Sequence, residues 1–280
     1  MKSMITMKVE ILINKSVDEN AALYYEKAKK AKGKLEGIKK AISHSEQMVA
    51  EHNIKIEKDL ESSNSYKSTE TKKRKLDWYE KFRWFFTSEG KLVIGGRDAT
   101  SNENVIKKHT EKGDLVFHTD MAGSPFMVIK SEGREISDIE KEETAEFLAC
   151  YSRAWKAGIS SIEVFYVNPD QVTKEANSGE YLQKGSFMIR GKTTYIHAYL
   201  RLAISVIDGR VYSGPISAIK TYLSNFYPDL KKHELEKKFF KIVQGTSKSS
   251  QVAKEIKKKF GGDLDEIIKA LPPGGCRISK

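Results

Sequence analysis

The chain has 280 residues, 39% hydrophobic and 31% charged, with 49 Lys and Arg against 38 Asp and Glu for a net charge of +11. Its two cysteines, Cys150 and Cys276, are far apart and in no C-x-x-C pair, which excludes a disulfide framework and a cysteine zinc site and fits a reducing compartment. No apolar run approaches the ~18 residues of a membrane helix and the first residues lack a signal-peptide core, so a soluble cytoplasmic protein of one or two domains with no membrane partner is expected.

Val9 to Ile13 has β-branched content and predicts a strand. Ser16-Val-Asp-Glu19 is a capping box that opens a helix. Apolar residues then recur every seven positions, at Ala21, Ala28, Leu35, Ile42, Val49 and Ile56 in one register and Tyr24, Ala31 and Ile38 in the other, an a/d seam. From Val17 to Leu60 such a helix would run about 66 Å at ~1.5 Å per residue. The polar run Glu61 to Glu70 reads as a turn, and a second helix is expected to return through Lys72 to Lys75 into Leu76, Trp78, Tyr79, Phe82 and Phe85, making an antiparallel coiled-coil hairpin. His52, in a seam position without a second His or Cys at ligand spacing, reads as a register feature.

The body follows as short segments. Strands are predicted at Lys91 to Ile94, Asp114 to His118, Phe126 to Ile129, Ser161 to Val167, Ser186 to Ile189, Thr193 to His197, Leu202 to Ile207 and Val211 to Ser213. Helices are predicted over Asn102 to His109 and from the capping box Ser137-Asp-Ile-Glu140, the latter stopping at Gly158. The fold class is α+β with a mixed sheet. Beyond Gly214-Pro215 the chain turns Lys-rich, with helices near Ile216 to Asn225, Ser250 to Phe260 and Asp263 to Leu271 and a strand near Lys238 to Val243. This reads as a small appendage extending the sheet.

Charge follows this division: residues 1–75 hold 17 basic and 11 acidic side chains, residues 76–214 hold 18 and 20, and residues 215–280 hold 14 and 7. Two basic flanks around a near-neutral body suit a densely anionic partner, of which nucleic acid is the commonest, although solvated Lys-rich helices give the same composition.

Motifs for catalysis are sparse. Gly185-Ser-Phe-Met-Ile-Arg-Gly191-Lys192-Thr193 has P-loop-like residues but the wrong spacing and a strand after it, so a β-hairpin turning at Arg190-Gly191-Lys192 is the better reading. His118 and Asp120, two apart at a strand end, share a face without a third ligand at diagnostic spacing. Gly245 to Ser250 leads into a helix, where N-capping by Ser249 or Ser250 competes with phosphate binding. The aromatic run Trp78 to Phe86 offers stacking platforms for bases or, more simply, packs a helix onto a sheet.

Several stretches together resemble the NFACT family of ribosome-associated quality-control factors. They are Trp78 to Trp84; Gly95-Gly96-Arg97-Asp98-Ala99 with Asn102; Gly113-Asp114 with His118-x-Asp120-x-x-Gly123-Ser124-Pro125; Ser152-Arg153-Ala-Trp155-Lys156; Gln171-Val-x-Lys174; Ser178-Gly-Glu-Tyr181-Leu182; and Gly185 to Lys192. Asn20-Ala21-x-x-Tyr24-Tyr25-Glu26 is similar to the family's entry into its coiled coil, and the Pro-Pro-Gly-Gly tail is most similar to archaeal members. The resemblance implies a lead-in over 1–15, the coiled-coil hairpin over 16–84, an RNA-binding NFACT-R domain over 85–214 and a basic extension over 215–280.

It also implies binding of tRNA or rRNA, and of peptidyl-tRNA on the large ribosomal subunit after stalling, without cofactor, metal or catalysis. Full-length members carry an amino-terminal domain with an Asp-Arg pair implicated in adding alanine or threonine to stalled chains. Nothing here resembles it, so either a stand-alone version or half of a longer protein is expected, a separate chain of that type being one candidate partner, and tail elongation is not expected. A homodimer through the coiled coil is a further expectation. Phosphate contacts are expected from Arg97, Arg153, Lys156, Lys174, Lys184, Arg190 and Lys192, with Asp98, Asn102, His118, Asp120 and Ser124 organising the surface or reading the RNA. Stand-alone NFACT-R proteins have been proposed in RNA modification, so the alternative is a stand-alone RNA-modification or RNA-processing factor, with His118 and Asp120 as the candidate site of a metal-dependent activity. The family's old fibronectin-binding label raises an adhesin role, against which stand the missing signal peptide and paired cysteines.

Overall fold

The helix that follows Ser16 begins where the sequence places it. The Ser16 backbone N–H donates to Glu19 Oε2 at 2.8 Å and Glu19 N–H to Ser16 Oγ at 3.2 Å, the reciprocal bonds of a capping box. These bonds hold the Glu19 carboxyl below its ordinary range. From there α1 runs over Val17–Ser63, 47 residues. The computed structural model describes residues 10–63, 76–175 and 182–279, and packing divides the chain into Met1–Arg74 and Lys75–Lys280.

No strand precedes α1 among the described residues. Asn20 is buried and exchanges bonds with Leu12, accepting from its N–H at 2.8 Å and donating to its carbonyl at 3.0 Å, while the Tyr24 hydroxyl donates to the Glu10 carbonyl at 2.6 Å. The lead-in therefore folds back on the first turns of the helix, and its β-branched residues find no strand to pair with. Along α1 the seam residues Leu35, Ile38 and Ile42 are 53, 60 and 52% exposed. Val49, His52 and Ile56 lie on this helix, Glu61–Ser63 of the expected turn continue it as helix instead, and the rest of that turn, 64–70, lies outside the described residues.

In the second unit the chain continues through β1 (Arg83–Phe86), β2 (Leu92–Gly95), α2 (Ala99–Lys108), β3 (Leu115–His118), β4 (Met127–Ile129), α3 (Asp138–Tyr151), α4 (Arg153–Ala157), β5 (Ser161–Val167), β6 (Val172–Thr173) and β7 (Met188–Ile189). After these come β8 (Thr194–Tyr199), β9 (Leu202–Ile207), β10 (Arg210–Pro215), α5 (Ile216–Phe226), α6 (Lys232–Leu235), β11 (Phe240–Ser247), α7 (Ser249–Phe260), α8 (Leu264–Ala270) and β12 (Cys276–Ser279). The sheets are six-stranded in the order β1-β2-β4-β3-β5-β8, four-stranded in the order β10-β9-β11-β12, and two-stranded, β6-β7. The α+β class holds. Every pairing among the described strands is antiparallel, so the sheets are not mixed.

Both faces of these sheets are covered. Phe85, Val93, Phe117, Met127, Ile129 and Val164 point into one apolar cluster with Phe147 and Leu148 of α3, while Trp84, Ile94, Val116, Val128 and Phe165 point into another with Ile219 and Leu223 of α5. Neighbours in sequence alternate between the clusters, as a two-residue period requires. That alternation corrects the expected second helix. Among the described residues, 76–82 form turns and Arg83–Phe86 is a strand, because Trp84 and Phe85 are buried on opposite faces, which a helix cannot arrange at adjacent positions.

The hairpin at Arg190-Gly191-Lys192 is also corrected. β7 pairs with β6, Val172 opposite Ile189, whereas β8 pairs with β5. The turn is instead clamped by Gln171, whose side-chain amide donates to the carbonyls of Arg190 at 2.8 Å and Lys192 at 2.9 Å. Gly191 takes φ of +82° within that clamp. At α7 neither Ser249 nor Ser250 is the cap: Lys248 occupies the N-cap position and its N–H donates to Gln251 Oε1 at 3.2 Å. The Lys-rich tail supplies β11 and β12 beside β9, and Trp155 Nε1 donates to the Gly275 carbonyl at 3.0 Å. Residues 215–280 thus belong to the same packed unit as the sheets before them.

Candidate nucleic-acid interface

Strand β2 ends at Gly95, and the next three residues turn the chain into α2. Asp98 is the N-cap: its Oδ1 accepts from Ser101 N–H at 2.8 Å, which keeps its carboxyl below the ordinary range. Arg97 N–H donates to Ser101 Oγ at 2.7 Å, and its guanidinium turns inward to the carbonyls of Phe82 at 2.8 Å and Lys269 at 3.0 Å. Gly96 is required by proximity, since a Cβ there would lie 1.8 Å from Asn102 Oδ1. That oxygen accepts from Phe126 N–H at 3.2 Å and so ties α2 to the start of β4.

On the facing side, His118 closes β3. Its Nε2 lies 3.1 Å from the Ser124 carbonyl oxygen and its ring stacks on Phe126 at 4.1 Å. Burial lowers its pKa, which favours the neutral imidazole at pH 7. Ser124 is buried and donates to the Met121 carbonyl at 2.8 Å. Together with a third segment, Lys184 to Phe187, these groups surround a cavity of about 480 Å³. Arg97, Asp98, Asn102, His118, Ser124 and Lys184 all line it, so six of the twelve expected site residues are brought to one place.

The other six have separate positions. Lys174 is engaged with protein: its ammonium lies 2.8 Å from Glu103 Oε1 and donates to the carbonyls of Gln183 and Ser186. That pair depresses the Glu103 carboxyl to about 2. Asp120 accepts from the Tyr195 hydroxyl at 3.2 Å, and Arg190 donates to the Glu175 carbonyl at 3.3 Å. Arg153, Lys156 and Lys192 are exposed; the guanidinium of Arg153 lies beside Gly123, whose φ is +83° and where a Cβ would come within 2.8 Å of Arg153 Nε. Among the described residues no three His, Cys, Asp or Glu side chains converge as a metal ion needs, and His118 and Asp120 are held by different partners. Residues 178–181 of the Ser178-to-Leu182 motif lie outside the described residues.

The sequence reading missed Arg83, Tyr151, Phe187 and Pro273, which also line the cavity. Arg83 is the one basic residue in a strand otherwise aromatic, a signal that was available; Tyr151 and Pro273 arrive from distant segments and carried none. The Arg83 guanidinium sits 4.5 Å over the Tyr151 ring, and burial first, then the neighbouring Arg97, pull its pKa down to about 10. Tyr151 in turn donates to the Ala270 carbonyl at 2.5 Å. Arg83, Arg97 and Tyr151 form a wall shared with a second, smaller cavity of about 90 Å³. The aromatic run packs as expected, but from a turn and a strand: Phe82, Trp84 and Phe85 are buried, and Trp78 stacks on His109 at 4.7 Å.

Comparison with known proteins puts every residue lining this cavity except Pro273 inside a recognised domain. The model of the "NFACT protein RNA binding domain" matches residues 81–191. The "Archaeal Rqc2 homolog aRqcH" of Methanocaldococcus jannaschii is 41% identical over 215 residues, covering 74% of this chain and 30% of that protein. The human "Ribosome quality control complex subunit NEMF" is 37% identical over 194 residues, 67% of this chain and 17% of that one. The chain therefore spans less than a third of the length of these relatives. The C-terminal part of the fibronectin/fibrinogen-binding protein from Streptococcus suis aligns with a TM-score of 0.37 at 19% identity, over 65% of this chain and 76% of that one.

Proposed function

From the premise that this chain belongs to the NFACT family, whose RNA-binding domain it carries, we propose that it is a cytoplasmic RNA-binding protein of ribosome-associated quality control. It takes tRNA or peptidyl-tRNA on the large ribosomal subunit after stalling. The role is binding rather than catalysis, with dimerisation through the seam of α1. The observation that supports the reading most is the convergence of Arg97, Asn102, His118, Ser124 and Lys184 on one cavity within the matched domain.

Near it, the Gln171 clamp holds Arg190 and Lys192 at a fixed loop tip, where exposed cations meet a phosphate backbone. The basic flanks add long-range attraction. The test is filter binding of tRNA and of large subunits across a salt series. The logarithm of affinity should fall linearly with that of salt, and Arg190→Ala with Lys192→Ala should lower the slope by roughly one to two. An unchanged slope removes the loop from the interface; no binding to either ligand removes the function.

A further inference from the structure

Attraction of RNA through exposed lysines does not explain why two arginines are set into the cavity wall. Among the described residues the arginines in salt bridges are Arg134, Arg201 and Arg210; Arg83 and Arg97 form none. Arg97 spends its guanidinium on two neutral carbonyls. Arg83 Nε is buried with no hydrogen-bond partner at all, and the face of its guanidinium rests on Tyr151. Asp98, whose charge acts on both, has its carboxylate turned to the start of α2. Two neighbouring, partly buried guanidinium groups with no salt bridge leave positive charge undercompensated at the cavity wall, and Arg83 stays cationic at neutral pH. A bound oxyanion would balance that charge, and a planar guanidinium fork matches phosphate geometry.

The remainder of the wall fits the rest of a nucleotide. Phe126 and Phe187 contribute aromatic surface, with Asn102, His118 and Ser124 as polar groups beside them. A volume of about 480 Å³ lies in the ~300–1,000 Å³ range of small-ligand sites, enough for one nucleotide and too small for a base-paired stack. Unstacked bases splayed from single strands are the usual object of RNA readout.

We propose that this cavity takes one unstacked nucleotide of an RNA strand, its phosphate against Arg83 and Arg97 and its base on the Phe126 and Phe187 side. The assignment rests on the RNA-binding reading above and names what that site receives. Free nucleotides share the chemistry, so the experiment separates the two sources.

Calorimetric titration of the full chain with adenosine monophosphate, adenosine and a short single-stranded RNA is the test. The monophosphate and the RNA should bind, and adenosine should bind at least about tenfold more weakly. Arg83→Gln should weaken both phosphorylated ligands by about tenfold to a hundredfold, as loss of a charge-assisted contact does. Should that variant not fold, Ala122→Trp at the exposed rim keeps both cations and fills the mouth, and it should weaken binding as much. RNA binding that survives Ala122→Trp unchanged overturns the cavity assignment while leaving the RNA-binding function standing. Monophosphate binding without RNA binding overturns the RNA source, and equal affinity for adenosine and its monophosphate overturns the phosphate assignment.

Discussion

The ammonium of Lys174 lies 2.8 Å from Glu103 Oε1, which makes this lysine a strut between the loop that carries Lys184 and helix α2. Its other two bonds, to the carbonyls of Gln183 and Ser186, complete the tie. Lys174→Met and Glu103→Gln should therefore act alike, speeding amide exchange over 182–187 and weakening RNA binding through loss of loop position. A phosphate contact would behave otherwise, lowering the salt slope by about one in the lysine variant alone. The folded-state pKa of Glu103, about 2, sets the pH range. The pair contributes above the ordinary carboxylate pKa and is lost as pH falls toward 2, so the Glu103→Gln effect should be full at pH 6 and vanish near pH 2.

Gly96→Ala should destabilise the chain by about 1–3 kcal/mol in urea unfolding, since the new methyl overlaps both the amide oxygen and the backbone nitrogen of Asn102. The same change should detach Asn102 from Phe126 and lower RNA affinity, visible by filter binding.

Lys91 and Glu140 form a buried ion pair at 2.7 Å, with Thr87 also donating to Glu140 at 2.9 Å. Lys91→Met leaves a fully buried carboxylate without its cation and should cost about 3–5 kcal/mol by chemical denaturation. The double variant with Glu140→Leu should recover a large part of that loss.

Glu146 carries a pH dependence. Burial raises its pKa to about 7 against the restraint of Arg201 at 3.7 Å, with Glu143 and Glu142 adding repulsion and Lys220 lining the same recess. The folded state keeps the proton to about pH 7 whereas the unfolded chain releases it near 4.5, so stability present at pH 4 declines between these values and levels off above. Glu146→Gln should flatten this profile in melting curves from pH 4 to 8, with a gain of about 1–3 kcal/mol at pH 8.

The helices were legible in the sequence because their signals are local. Ser16 with Glu19 and Ser137 with Glu140 form the bonds their spacing demands, and Gly158 ends α4 in the left-handed conformation. Strand partners were not legible, because they are set at a distance: Ile189 and Thr194 flank one tight turn yet join different sheets. In the run Trp78 to Phe86 six of nine positions are aromatic and the charged ones are scattered, so helical and strand periods fit equally and only the two-sided burial decides. For the site, the motif around Arg97 and Asn102 led to the cavity, whereas Arg83 was hidden among aromatics and Lys174 showed its charge but not its partner.

The tail has a consequence for the order of events during synthesis. Strand β12 pairs with β11, the Lys269 carbonyl fixes Arg97, and Pro273 forms part of the cavity wall. Until residues 269–279 have been made and have docked, the sheet lacks β12, Arg97 lacks its Lys269 brace and the cavity lacks part of its wall, so a site built largely from residues 83–189 is completed by a much later segment of the chain.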